Sequence, residues 1–189
     1  MALHICCAVC AGGAAEKLIY LGYTVQGYFF NPNIYPIEEY QRRLDNAWKV
    51  AQELKFKLEE GPYVPEVWSQ AVRGLEDQPE GGKRCLVCFK LRLEKVYQYM
   101  LDSGCDAIAS TLTMSSNKSA QVIGKIGREV AGDRFADIDF KKRDGIRRAN
   151  ELAATWHLYR QHYCGCYFSL RDEELRKAKL SEKTRLNLT

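Results

Sequence analysis

The chain has 189 residues, 46% of them hydrophobic and 28% charged, with a formal net charge of +4, which is the size of one domain with room for a real core. No run of about 18 apolar residues is present that could span a bilayer. The opening MALHICCAVC also lacks the basic stretch and long apolar segment of a secretory signal, so the expectation is a soluble cytoplasmic protein.

Taken in chain order, ALHICCA at positions 2 to 8 reads as a buried strand, followed by a small-residue turn, AGG, and a helix through AAEKLIYLG that stops at Gly22. TVQGYFF is a second strand, ended by the NPN turn at positions 31 to 33. In the long helix that follows, Leu44, Ala47, Trp48, Ala51 and Leu54 recur at spacings of three and four and mark one buried face. A short segment, KFKLEEGPY, precedes a helix over VPEVWSQAVRG and a polar, glycine-containing loop, EDQPEGGKRC. Phe89, Leu93, Val96 and Met100 then trace a helix from about Cys85 to Asp102. DAIASTLT is a strand, SAQVIGKIGREVAG a helix and RFADIDF a further strand. The last large helix carries Ile146, Ala149, Ala153 and Trp156 on one face and leads into YCGCYFSL.

Strands alternating with helices predict an α/β domain on a mostly parallel sheet with helices on both faces. The expectation is a single domain over residues 1–189, with the helical, cysteine-bearing segment from about 141 to 189 packed on it. In such sheets the site lies at the carboxyl ends of the strands. There the sequence places CCAVC, NPN, TMSSNK and DFKKRDG.

Seven of the eight cysteines fall into three tight groups: Cys6, Cys7 and Cys10; Cys85 and Cys88; Cys164 and Cys166. Cys105 stands alone and reads as a small buried hydrophobe. A reducing cytosol makes ligands or catalytic groups of such thiols rather than a disulfide framework. The CxxC at a helix start lets two thiolates converge on one ion, helped by the helix dipole, Arg84 and Lys83. A structural zinc or an iron–sulfur cluster takes four ligands and leaves thiols over. A CxC disulfide closes a small strained ring and is readily reduced, so Cys164 and Cys166 read as a redox couple or as ligands, with Gly165 letting the backbone bend. Spacing alone leaves the division of thiols open.

LHICCAVC, YFFNPNIYPIEEYQRR, RCLVCFKLRL, STLTMSSNKS, DFKK and YRQHYCGCYFSL together resemble the cobalamin-independent epoxyqueuosine reductases of the QueH type, over nearly the whole chain. Val9 stands where the family pattern carries a proline, a departure that moves no thiol. The resemblance implies a Rossmann-like, nucleotide-hydrolase-like (HUP-type) fold and the reductive removal of the epoxide oxygen of epoxyqueuosine in the tRNA anticodon. It further implies a 4Fe–4S cluster on Cys6, Cys7, Cys85 and Cys88, a redox-active pair in Cys164 and Cys166, and a second, mononuclear iron near Cys10 and Asp139. In that fold the loop after the first strand often cradles ATP phosphates. Here it carries cysteines, which argues against an ATP-using enzyme.

Epoxide deoxygenation needs two electrons, two protons and help for the leaving oxygen, so the resemblance also implies an external electron donor, whose identity the sequence does not give. His4, His162 and Tyr163, close in sequence to proposed ligands, and Asp139, itself placed near the second iron, are the candidate proton donors. Lys118 lies in SSNKS, where Ser115 or Ser116 would equally cap a helix. Basic candidates for tRNA phosphates are Arg42, Arg43, Lys141 to Arg143, Arg147, Arg148 and Arg160, with Tyr28, Phe29, Phe30 and Tyr35 as stacking candidates, although most such groups are surface or core. The mild basicity, with pI near 8.6, permits a nucleic-acid partner without demanding one. Two other readings compete: a zinc-stabilised nucleic-acid-binding module without turnover, and an iron–sulfur tRNA thiolation enzyme.

Overall fold

Strand β1 (Ala2–His4) is flanked by β2 (Gln26–Phe29) on one side and β4 (Ile108–Ser110) on the other, and β3 (Lys57–Glu60) completes the sheet beyond β2. This computed structural model describes residues 1–186. All three pairings are parallel, with His4 opposite both Tyr28 and Ser110, so every connection must cross over a face of the sheet. The crossovers are α1 (Ala8–Tyr20), α2 (Ile37–Glu53), and α3 (Pro65–Ala71) with α4 (Lys83–Ser103). After β4 come α5 (Ala120–Ala131), α6 (Gly145–Thr155) and α7 (Tyr167–Leu186).

The period-two alternation of the strands sorts the core into two layers. Leu3, Ile5, Phe29 and Ala109 pack with α1, α2 and α6, through Ala15, Leu44, Ala47 and Ala153 among others. Ala2, Tyr28, Phe30 and Ile108 face the other way, onto Phe89, Leu93, Val96 and Met100 of α4 and Ile123 and Ile126 of α5. A third, small cluster joins Trp68 and Val72 to Cys88 and Cys166, with Phe168 against it, and so fixes the start of α7 onto α3 and α4. Among the described residues, no helix is long and apolar enough to cross a membrane.

Three sequence expectations are corrected. The AGG at 11–13 is no turn: α1 starts at Ala8, with Cys7 as its extended N-cap residue. Its glycines serve close helix packing, since a Cβ on Gly13 would stand 2.9 Å from Ala149 Cβ and 2.8 Å from Met114 Cε. The short KLEE segment is an edge strand with only Leu58 buried, too exposed to show an apolar pattern. RFADIDF is not a strand, because β4 yields at once to a 3-10 turn over Thr111–Met114. Only a single bridge, Ile108 to Phe135, survives there.

Candidate active site

The residues just past the strands are tied to one another before any helix contributes. The Cys6 N–H donates to Thr111 Oγ1 (3.2 Å), and Asn31 Nδ2 donates to the Ile5 carbonyl (2.8 Å). The start of α1 then sets Cys7 and Cys10 one turn apart, and Cys6, just before it, has its Sγ 3.5 Å from Thr111 Oγ1. On the opposite side, the start of α4 presents Cys85, whose Sγ accepts the Gly81 N–H (3.2 Å), and the buried Cys88.

The CxC turn is held from beneath by Arg43 of α2, a side chain only 2% exposed. Its Nη1 donates to the Cys164 carbonyl and its Nη2 to the Tyr163 carbonyl, each at 3.0 Å, while Nε donates to Glu39 Oε1 at 2.7 Å. Gly165 adopts φ +131°, and a Cβ there would meet Arg43 Nη1 at 3.0 Å, so glycine is required both for conformation and for room. The Gly165 carbonyl accepts the Tyr35 N–H (2.8 Å), and Tyr163 Oη donates to the Tyr35 carbonyl. Cys166 precedes α7, and its Sγ accepts the Ser169 N–H at 3.4 Å. All eight cysteines are free thiols.

Three cations face this thiol set. Arg92 interacts with Cys88, Cys6, Cys164 and Cys85, Lys118 with Cys164, Cys6 and Cys10, and Arg43 with Cys7 and Cys6. Hydrogen bonding to Cys7, followed by burial, holds the Cys6 thiol well above its ordinary range. The Cys10 thiol pushes Cys7 up to about 12. Burial pushes Cys88 up to about 11 against the pull of Arg92, and raises Cys85 against the Gly81 N–H. Burial works against the Lys118 ammonium, yet the three thiols hold its pKa above the usual lysine value. The Cys6, Cys7, Cys85 and Cys88 thiols of the metal-free protein are therefore protonated at neutral pH, and binding a cation to them must expel protons.

A cavity of about 260 Å³ opens over Cys6, Cys7, Cys10 and Cys164, with Lys118, Asn150, Arg160 and His162 on its walls. A second, of about 220 Å³, reaches Cys85 and shares Lys118 and Cys164 with the first. Among the described residues, no three His, Cys, Asp or Glu side chains form a group that could hold a metal ion as they stand. The donor chemistry nonetheless fits a thiolate-bound metal group. The buried Arg92 Nη2 has no hydrogen-bond partner, and Trp68 Nε1 has none but the weakly accepting Cys88 thiol. Deprotonated, metal-bound sulfur is the acceptor such donors lack.

The remaining sequence candidates divide. His162 and Tyr163 both line the cavity, but the Tyr163 hydroxyl is spent on the Tyr35 carbonyl. His4 is fully buried between Ser110 Oγ (3.1 Å) and the Phe30 carbonyl (3.2 Å), and burial lowers its pKa to about 3, which makes it a neutral structural group. Asp139 does not line the cavity. It accepts the Lys141 N–H at 3.1 Å and stands 3.9 Å from Lys141 Nζ, which in turn donates to the Ser115 and Lys118 carbonyls. Asp139 thereby supports the loop that carries Lys118. The cap of α5 is Ser119, neither Ser115 nor Ser116.

Of the tRNA candidates, Arg43, Tyr28, Phe29 and Phe30 are buried, and Arg147 and Arg148 are paired with carboxylates. Of these candidates the cavity is lined by Arg160 and by the buried Arg43, whose fork is already taken up by the CxC turn. Sequence reasoning passed over Arg92. The available signal was its position four and seven residues after Cys88 and Cys85, on the same helical face.

A family model described as epoxyqueuosine reductase QueH matches residues 1–172. Curated proteins of that name are similar over most of the chain. That of Streptococcus pyogenes serotype M1 is 38% identical over 178 residues, covering 89% of this chain and 69% of the relative. The one from Acinetobacter baylyi is 33% identical over 90% of this chain and 80% of its own length. The Thermotoga maritima protein is 32% identical over 96% of this chain and 95% of its own.

Proposed function

The chain belongs to the epoxyqueuosine reductase QueH family, and from that membership we propose how its thiols serve the reductive removal of the epoxide oxygen of epoxyqueuosine in tRNA. Cys6, Cys7, Cys85 and Cys88 are the ligands of a 4Fe–4S cluster, and Cys164 with Cys166 is a redox-active pair. Such a cluster, when bound, supplies electrons one at a time. Cys10, on the cavity wall, is the thiol left to serve a second, mononuclear iron. Asp139 acts there only through Lys141 and the Lys118 loop.

The balance of the reaction matches the dithiol. An epoxide becomes an alkene and water by taking two electrons and two protons, and oxidation of two thiols to one disulfide releases the same number of each. An external electron donor must then return the pair to the dithiol. Within the chain, Arg43 and Gly165 hold the CxC backbone in place, and the Lys118 ammonium faces Cys164, Cys6 and Cys10, where it stabilises negative charge and stands ready to donate a proton to a leaving alkoxide. The cavity walls supply Arg160, His162 and Asn150 for the modified base.

The observation that carries this reading is the convergence of three separate thiol groups, from the two ends of the chain and its middle, around the buried guanidinium of Arg92 at the carboxyl edge of the sheet. Protein purified without oxygen is expected to contain iron and acid-labile sulfide. Serine at Cys6, Cys7, Cys85 or Cys88 should deplete both, while Cys105→Ser should not. Zinc in place of iron, or full iron content in the four serine variants, would contradict the assignment.

A further inference from the structure

Arg92 lies on α4 one turn beyond Cys88 and two beyond Cys85, and is 2% exposed. Its Nε donates to the Cys88 carbonyl at 3.2 Å, and its Nη1 reaches Asn31 Oδ1 at 3.5 Å. Asn31 in turn donates to the Ile5 carbonyl at 2.8 Å, immediately before Cys6. One guanidinium thus connects the backbone beside Cys88 with the backbone beside Cys6, two positions 82 residues apart in the chain.

The third nitrogen, Nη2, is buried without an acceptor. A buried cation is costly unless paired and hydrogen-bonded, and among the described residues no carboxylate forms an ion pair with Arg92. The groups whose charge acts on it, once they are ionised, are the sulfurs of Cys88, Cys6, Cys164 and Cys85. The fork is therefore anchored at two corners by neutral acceptors, and its third corner is free beside the ligand set.

We infer that Arg92 is a positioning residue that holds the two ligand pairs in register and donates its free N–H to sulfur of the bound cluster, raising the cluster's reduction potential. The inference rests on the cluster assignment above. Its physical basis is that a fixed positive charge and a hydrogen bond to sulfur both favour the more negatively charged, reduced state. Lysine would keep the charge but lose the planar fork that reaches Asn31 and sulfur together. Glutamine would remove the charge.

The test uses the full chain, loaded and handled without oxygen, as wild type, Arg92→Gln and Arg92→Lys. Iron and sulfide content is measured first, and the midpoint potential is then taken from a redox titration followed by visible absorption. The expected result is a cluster in all three, with the Arg92→Gln potential more negative than wild type and Arg92→Lys between them. A wild-type cluster with an unmoved Arg92→Gln potential would overturn this inference alone. So would loss of the cluster from both variants together with a clearly lowered Tm of the metal-free chain, which would make Arg92 a support of the fold. Wild-type protein without iron and sulfide would overturn the cluster assignment itself.

Discussion

Replacing Arg43 by methionine keeps most of the side chain's volume and removes its charge and three hydrogen bonds. What remains is Glu39, 7% exposed, with only the Tyr159 hydroxyl as a partner (2.8 Å), and two carbonyls of the CxC turn without their donor. Breaking a buried ion pair from one side costs about 3–5 kcal/mol. The hydrogen bonds to the two carbonyls, at roughly 1.5–3 kcal/mol each for a charged donor, overlap with that cost because relaxation lets water reach part of the turn. A loss of about 4 kcal/mol is therefore expected, which in a domain of this size lowers Tm by roughly 8–16 °C. Circular dichroism melts of the metal-free, reduced protein measure it. The double variant Glu39→Leu/Arg43→Met should recover part of the loss, since it no longer strands a buried carboxylate. A single variant within about 0.5 kcal/mol of wild type, the range of an ordinary surface change, would refute the role given to Arg43.

Serine at both Cys164 and Cys166 should abolish turnover while leaving the visible absorption of the cluster, and unchanged turnover would remove the dithiol from the reaction. Gly13→Val should destabilise the protein by about 1–3 kcal/mol through overpacking, because its Cβ already meets Ala149 and Met114; denaturant midpoints report it, and a neutral result would mean that α1 and α6 are not in contact. At alkaline pH the protein should lose stability as pH rises above about 10. Burial and then Glu60 hold the Tyr40 phenol well above its usual value, and burial and then Glu59 push Tyr99 up to about 12. The unfolded chain releases those protons first, so the stability present below the unfolded phenol pKa drains away above it. Tyr40→Phe should flatten that slope in melts taken at successive pH values, and an unchanged slope would count against the assignment.

The alternation of Leu3 and Ile5 with Ala2, and the spacing of Phe89, Leu93, Val96 and Met100, made the layered α/β fold legible in the sequence, because burial on a periodic element leaves a periodic trace. The thiol groups were legible for the same local reason, as short spacings. Other features were not local. Gly12 and Gly13 look like a turn in isolation and become helix only because Ala149 and Trp156, far along the chain, require small neighbours. Arg43 looks like a surface cation for phosphate until the CxC turn, more than a hundred residues later, covers it. His4 lies near thiols in sequence and Asp139 at an expected strand end, but the strand carries His4 into the core and Lys141 intercepts Asp139. Sequence proximity to a ligand is a poor guide to which way a side chain faces.

The activity assigned to this chain is the conversion of one nucleoside. Reduced protein, with its cluster intact and a low-potential electron donor supplied, is incubated without oxygen with tRNA that carries epoxyqueuosine, and the digested nucleosides are separated by mass. Conversion to queuosine is predicted for the wild type, and its loss when Cys164 and Cys166 are both serine. Persistence of epoxyqueuosine with a loaded, reducible wild-type protein would contradict the central claim.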